Sequence, residues 1–187
     1  MFKLKIDEKL HLELTAMHHA DRLFELVKKN SELFSRWLVW VESTKTVHDT
    51  RTFIQSTMNN YANHQEVNCV IVYEGVVVGD ITLLGMGRKH NGTKQGELGY
   101  WLDGDYHGKG IMHRCAKKMI EIGFNYYDLD KILLRCAVSN NRSCNVAQKL
   151  GFTLEGHIRD DILINGKMLD ANLYGLLREE FETMRNF

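Results

Sequence analysis

Glu97-Leu98-Gly99-Tyr100-Trp101-Leu102-Asp103 runs directly into Gly104-Asp105-Tyr106-His107-Gly108-Lys109-Gly110. The first stretch reads as a strand over Glu97 to Leu102, and the second as a glycine-rich turn. Beyond it, Ile111, Met112, Cys115, Ala116, Met119 and Ile120 recur at helical spacing. A strand thus hands the chain through a turn to the start of a helix. The first N–H groups of a helix lack internal partners, and its dipole adds partial positive charge there. Gly108 and Gly110 let the backbone come close to an anion, and a pyrophosphate is the natural guest. Two commoner phosphate loops do not fit. Gly104 stands one residue too close to Gly108-Lys109 for a P-loop, and Gly110 occupies the place of the hydroxyl residue. A dinucleotide fingerprint needs a third glycine where this chain has His113. Taken alone, the glycines are equally well explained by a tight turn, so the decision rests on the rest of the chain.

Upstream, Leu10, Leu12 and Leu14 alternate with polar residues as in a strand. Thr15 is then placed to cap a helix carrying Leu23, Leu26 and Val27. Leu33, Phe34, Trp37 and Trp40 suggest a second helical stretch. Thr46 and Asp49 have the spacing of a capping box, and Phe53, Ile54, Thr57, Met58 and Tyr61 follow at helical spacing. Val67 to Tyr73 and Val76 to Leu84 are β-branched runs joined at Glu74-Gly75, a hairpin. Gly85 to Gly96 reads as a loop. Downstream, Ile132 to Val138 predicts a buried strand, and Ser143 to Leu150 a helix closed by Gly151. Asn165-Gly166 gives the signal of a type I′ hairpin. The order predicts an α/β (α+β) fold in one domain over residues 1–187. Its centre is a mixed, mostly antiparallel sheet with helices on both faces.

Composition narrows the function classes. A chain of 187 residues, 44% hydrophobic and 26% charged, holds a normal core. Lys plus Arg equals Asp plus Glu at 24 each, so no net field gathers nucleic acid or an anionic membrane. Cys69, Cys115, Cys136 and Cys144 form no CxxC pair and show no metal-ligand spacing. They read as reduced thiols. His18-His19 and the pair His107 and His113 form no recognisable metal motif, and no metal is expected. The lysines near Met1 precede no apolar stretch, so no signal peptide is expected. No run approaches the roughly 18 apolar residues of a membrane span. A cytoplasmic location is the expectation.

The second informative segment is Ser139-Asn140-Asn141-Arg142-Ser143, followed by Cys144-Asn145-Val146-Ala147-Gln148-Lys149-Leu150-Gly151-Phe152 and Thr153-Leu154-Glu155-Gly156. With the glycine turn it resembles the Gcn5-related N-acetyltransferase family. The likeness is greatest to the branch that acetylates the N-termini of ribosomal proteins, and it spans nearly the whole chain. That branch shows a strand like the one ending at Leu102, and then Asn-x-x-Ser-x-x-Val-Ala-x-x-x-Gly-Phe-x-x-Glu-Gly. Asn140, Ser143, Val146, Ala147, Gly151, Phe152, Glu155 and Gly156 occupy those places here. Two positions depart: Asp105 stands where the wider family often has Arg or Gln, and His107 where the branch often has Gln.

The resemblance implies acetyl-CoA as donor and an amine as acceptor, in a sheet whose two middle strands splay to admit pantetheine. It places the cofactor along Tyr100, Trp101 and Leu102, with a backbone N–H near Trp101 or Leu102 at the thioester carbonyl. His107, Gly108, Lys109, Gly110, Ile111 and Met112 would cradle the pyrophosphate, and Asn140 and Asn145 would add contacts. Ser143 inherits the role of proton donor to the leaving thiolate, although a serine there also suits a helix N-cap. Glu97 is the first candidate for the proton acceptor and Glu66 the second, each equally readable as a surface glutamate. Cys144 reads as a buried, inert thiol sooner than as a nucleophile. Trp37 and Trp40 either wall the acceptor site or pack on the core. Asp160, Asp161 and Asp170 flank the final hairpin turn. The implied acceptor is the N-terminal α-amine of a ribosomal protein, by direct attack in a ternary complex. A polyamine, amino acid or aminoglycoside is the alternative, and a non-catalytic acyl-CoA sensor the alternative of another class. No direct nucleic-acid or membrane partner is expected; homodimers are common in the family, though nothing in the sequence calls for one.

Overall fold

The computed structural model describes residues 3–185. Eight strands form one sheet in the order β1-β2-β3-β4-β5-β6-β8-β7. They are β1 (Lys3–Lys5), β2 (Leu10–Leu14), β3 (Val67–Tyr73), β4 (Val76–Arg88), β5 (Lys94–Leu102), β6 (Lys131–Ala137), β7 (Thr153–Ile164) and β8 (Lys167–Leu177). The helices are α1 (Ala20–Lys29), α2 (Ser31–Phe34), α3 (Val47–Ala62), α4 (Ile111–Asn125), α5 (Asn141–Lys149) and α6 (Arg178–Arg185). All neighbouring strands are antiparallel except β5 and β6, which are parallel.

That parallel pair decides the architecture. Gln95, Gly96 and Glu97 pair with Lys131, Ile132 and Leu133, and there the pairing ends, although β5 continues to Leu102 and β6 to Ala137. Each strand keeps its outer partner. β4 stays on β5 as far as Gly79 opposite Leu102, and β8 follows β6 from Lys131 to Ala137. The two lips of the gap are therefore held by continuous ladders.

Period-2 alternation sends neighbouring residues to opposite faces. Cys69, Ile71, Ile81 and Leu83 meet Ile111, Cys115, Met119 and Phe124 of α4 on one face. A Cβ on Gly123 would lie 2.8 Å from Ile132 and 2.9 Å from Leu83, so glycine lets α4 sit close on the sheet. Phe181 of α6 stacks on Phe124 at 4.9 Å. On the other face Val70 and Val72 pack against Ala20 and Leu23 of α1 and Ile54 of α3.

The capping box at α3 is present: Asp49 accepts from the Thr46 N–H at 2.8 Å, and Thr46 Oγ1 accepts from the Asp49 N–H at 3.4 Å. Asn165 (φ 50°) and Gly166 (φ 74°) form the left-handed pair of a type I′ turn. Three expectations are corrected. Most of residues 85–96 is hairpin, not loop: β4 runs to Arg88 and β5 starts at Lys94. A ladder of backbone bonds needs few apolar side chains, and buried Met86 supplies the anchor. Thr15 caps no helix, because its N–H still donates to Asn68 in the sheet. The chain turns instead at Ala16, whose N–H donates to His19 Nδ1 at 3.1 Å. Helix α2 ends at Phe34, short of Trp37 and Trp40. The Trp40 carbonyl accepts from the hydroxyls of Ser43 and Thr44, which compete with helix bonding.

Candidate active site

The gap between β5 and β6 opens into a cavity of about 610 Å³. Its lips are Leu98 to Leu102 and Leu134 to Ala137. On the α4 and α5 side, His107, Gly108, Gly110, Ile111 and Met112 border it, with Asn140, Ser143 and Asn145 opposite. On the α1 and α3 side it reaches Leu33, Phe34, Trp37, Leu38 and Ile162. The cavity therefore passes through the sheet.

The turn before α4 is shaped by its glycines. Gly108 (φ 76°) and Gly110 (φ 67°) take left-handed conformations that a side chain would strain. An added Cβ at either would meet no atom within 4 Å, so the space over the helix start is open. The turn is fastened behind by Asp103, only 1% exposed. Its carboxylate accepts from Lys29 Nζ at 2.8 Å and from Asn30 Nδ2 at 3.1 Å, and Asn30 Oδ1 accepts from the Gly104 N–H. Burial pushes the Asp103 carboxyl up, but the donors Lys29 and Asn30 outweigh it and hold the group below its ordinary value. Lys29 also reaches Asp105 at 2.6 Å, which gives that departure from the family pattern a structural partner.

His107 spans the mouth. Arg142 Nη1 lies 3.0 Å from its Nδ1. Arginine only donates, so Nδ1 accepts and the Nε2–H donates to the Leu102 carbonyl at 3.0 Å. This bond shows which backbone groups face the gap. The Asp103 N–H points to Val78 of β4. Alternation then turns Trp101 toward β4 and Leu102 toward the cleft. Of the two candidate backbone donors, Leu102 is the one aimed into the opening.

Ser143 does not cap α5. Asn140 does, its Oδ1 accepting from the Ser143 N–H at 3.3 Å. The Ser143 hydroxyl lies 2.9 Å from that of Tyr100, and burial pushes the Tyr100 phenol well above its ordinary value. Behind them Cys136 Sγ and Cys144 Sγ are 3.4 Å apart. Burial pushes the Cys136 thiol up to about 12, so little thiolate forms near neutral pH.

The carboxylates stand farther off. Glu97 is the last paired residue before the strands part. It shares the Trp101 face and lies 3.9 Å from Arg135, which also bonds Asp161 at 2.9 Å. Glu66 is 8% exposed, with its oxygens taken by Asn60 at 2.8 Å and Thr82 at 3.1 Å. Neither glutamate borders the cavity, nor does Lys109, whose ammonium sits 4.7 Å over the Tyr106 ring. Trp37 borders it, whereas Trp40 packs 6.4 Å from Trp101. Arg135, Arg142 and Lys149 line it without having been singled out in the sequence; only Arg142, inside the Asn140 to Ser143 motif, carried a signal.

Away from the cleft, Glu13, His18 and His19 converge with ligating atoms within 4.8 Å of one another. Glu13 already accepts from Lys3 at 2.7 Å and His11 at 2.8 Å. The Ala16 N–H on His19 Nδ1 leaves the proton of the neutral ring on Nε2, the atom a metal would need.

A sheet forked between two parallel strands, with a glycine turn and a helix start at one mouth, defines a coenzyme A-dependent acyltransferase. The family described as acetyltransferase (GNAT) domain matches residues 9–153, and the chain belongs to it. It is an enzyme that uses acetyl-CoA. It is 30% identical over 183 residues to the putative ribosomal N-acetyltransferase YdaF of Bacillus subtilis (strain 168), covering 97% of this chain and 98% of the relative. It is 29% identical over 171 residues to the ribosomal-protein-serine acetyltransferase of Escherichia coli (strain K12), covering 91% and 94%. Among solved structures, the microcin C7 self immunity acetyltransferase MccE in complex with acetyl-CoA and AMP superimposes with a TM-score of 0.86. It is 25% identical, and the match covers 92% of this chain and 94% of that one. No described helix is long and apolar enough to cross a membrane.

Proposed function

We propose that the acceptor is the N-terminal α-amine of a protein, a ribosomal protein first among them, and that the reaction runs in the cytoplasm. The observation that carries this reading is the second mouth of the cavity. Leu33, Phe34, Trp37, Leu38 and Ile162 wall it, so a chain end can enter opposite the pyrophosphate turn and meet the thioester in the gap. Two relatives whose names give ribosomal substrates match nearly the full chain, which supports the same reading.

The chemistry asks little of the protein beyond placement. A free α-amine has a pKa near ~7.7–8.0, so a useful fraction is neutral and nucleophilic at pH 7. Holding it beside the thioester supplies most of the advantage. The Leu102 N–H stabilises charge on the carbonyl oxygen as the amine adds. Ser143 faces the departing sulfur. Glu97 accepts the amine's proton through water, since it stands at the fork and not in the cavity wall. Glu97→Gln then lowers kcat about a hundredfold while leaving acetyl-CoA affinity unchanged; wild-type kcat would remove it from the role.

The test is thiol release from acetyl-CoA against N-terminal peptides of ribosomal proteins, polyamines, amino acids and an aminoglycoside. Selective turnover of one peptide is the expected result. Turnover of a small amine alone overturns the acceptor, and tight acetyl-CoA binding without turnover favours a sensor.

A further inference from the structure

Ser143 is usually free to rotate its hydroxyl hydrogen, as any serine is. Here two features restrict it. Asn140 takes over the cap of α5 by accepting from the Ser143 N–H, so the hydroxyl is not turned back onto the helix. Tyr100, on the opposite lip of the cleft, places its own hydroxyl 2.9 Å away. Both residues border the cavity. The Tyr100 ring packs against the α4-side core, so the phenol arrives on a ring with only two torsions, fixed by packing. The bond ties β5 to α5 across the gap that the thioester enters.

We propose that Tyr100 is a positioning residue: its hydroxyl donates to Ser143 Oγ, which directs the Ser143 hydrogen at the sulfur leaving acetyl-CoA. This rests on the reading that Ser143 faces that sulfur. Either hydroxyl can donate or accept, and the direction follows from acidity: a phenol O–H is the better donor of the two and an alkyl hydroxyl oxygen the better acceptor. A serine oxygen has one hydrogen and two lone pairs; with a lone pair occupied by Tyr100, its hydrogen is left for a sulfur, resting toward the Cys136 thiol and turning to the more strongly accepting thiolate sulfur as it develops in the cavity. As charge grows on sulfur, each bond of the chain strengthens the next. The pair stabilises the thiolate without surrendering a proton. An alkyl thiol has a pKa near ~8.5 and a phenol near ~10, and burial raises the phenol further. A proton held that firmly stays on oxygen while the C–S bond breaks, and the thiolate is protonated afterwards by water. Ser143 is thus a hydrogen-bond donor to the leaving group more than the proton source that the family resemblance implies.

The experiment compares wild type, Tyr100→Phe, Ser143→Ala and the double variant, with acetyl-CoA and the best peptide of the panel. Slow hydrolysis of acetyl-CoA without any amine is followed in parallel, because the same sulfur leaves. Tyr100→Phe keeps the ring and its packing. Its kcat falls about fivefold to tenfold, the scale of one neutral hydrogen bond, while KM for acetyl-CoA, coenzyme A affinity by calorimetry and thermal midpoint stay at wild-type values. Ser143→Ala falls about a hundredfold, the scale of one donor lost from developing charge, and the double variant falls no further. Wild-type kcat in Tyr100→Phe overturns the proposal, as do losses that multiply in the double variant, or a lowered thermal midpoint with raised KM and unchanged kcat. Full activity in Ser143→Ala overturns it together with the role of Ser143. If no peptide is acetylated but hydrolysis shows the same dependence on Tyr100, the acceptor reading falls and this one stands.

Discussion

The two faces of the sheet are built from different material, though they come from the same strands. On the α4 face, Cys69, Ile71, Ile81 and Leu83 pack against Ile111, Met119 and Phe124. On the α1 and α3 face, the alternate positions include Asn68, Asp80 and Thr82 beside Val70 and Val72. Asp80 is 3% exposed. It accepts from Asn68 Nδ2 at 3.0 Å, and the Thr15 hydroxyl also faces it. Desolvation by burial pushes its carboxyl up to about 7. Asp80 lies directly opposite Trp101 on β5. The apolar face gives rigidity to the strands that flank the cofactor. The polar face gives up stability to hold a carboxyl behind the acceptor side.

The largest effect tests the apolar face. Phe124→Ala removes a ring wedged between the sheet and Phe181, and is expected to cost about 3–5 kcal/mol. Urea unfolding would show a lower midpoint at unchanged slope. A cost near 1 kcal/mol would mean that α4 can collapse into the space, and that the two faces are less different than their composition.

Next comes Asp80. Its folded pKa of about 7 lies above the ordinary 3.8. Between those values the folded chain keeps a proton that the unfolded chain has lost. The contribution is fully present below the unfolded pKa and disappears as pH rises through about 7. The protein therefore loses up to about 4 kcal/mol from this group between pH 4 and pH 8. Asp80→Asn flattens that slope and is the more stable form at pH 8. Parallel stability curves for the two proteins across this range would show that Asp80 is no liability.

The smallest effect sharpens the contrast at the cleft. Asn140→Ala removes the cap of α5 and costs about 1 kcal/mol. It also frees the Ser143 N–H, so kcat falls more than the stability loss explains, seen by assaying well below the thermal midpoint. A stability loss with wild-type kcat would assign Asn140 to the fold alone.

Local signals were readable where a residue acts through its own backbone. The glycines at 108 and 110, the Asn165-Gly166 turn and the Thr46 to Asp49 box each specify a conformation within a few residues, and each is present. Where a side chain has a distant choice of partners, the choice is not written locally in the sequence. Thr15 is spent on β3, Glu66 is taken by Asn60 and Thr82, and Lys109 leans on Tyr106. Residues 85–96 looked like a loop because their polar, glycine-rich sequence conceals a ladder made by backbone groups. The Asn140 to Ser143 motif lies in a loop that borders the cavity, but it did not tell which of its residues caps the helix.

The sequence by itself determined the strand over Glu97 to Leu102 and the glycine turn after it, because periodicity and turn chemistry are local properties of the chain, and the resemblance of its two motifs pointed to the family that the match over residues 9–153 shows. Tertiary structure alone decided that β5 and β6 part after Glu97 and Leu133, that Leu102 faces the gap, and that Tyr100 and Ser143 meet across it. Those residues lie 43 positions apart, and only the packing of α4 and α5 against one sheet brings their hydroxyls within a hydrogen bond.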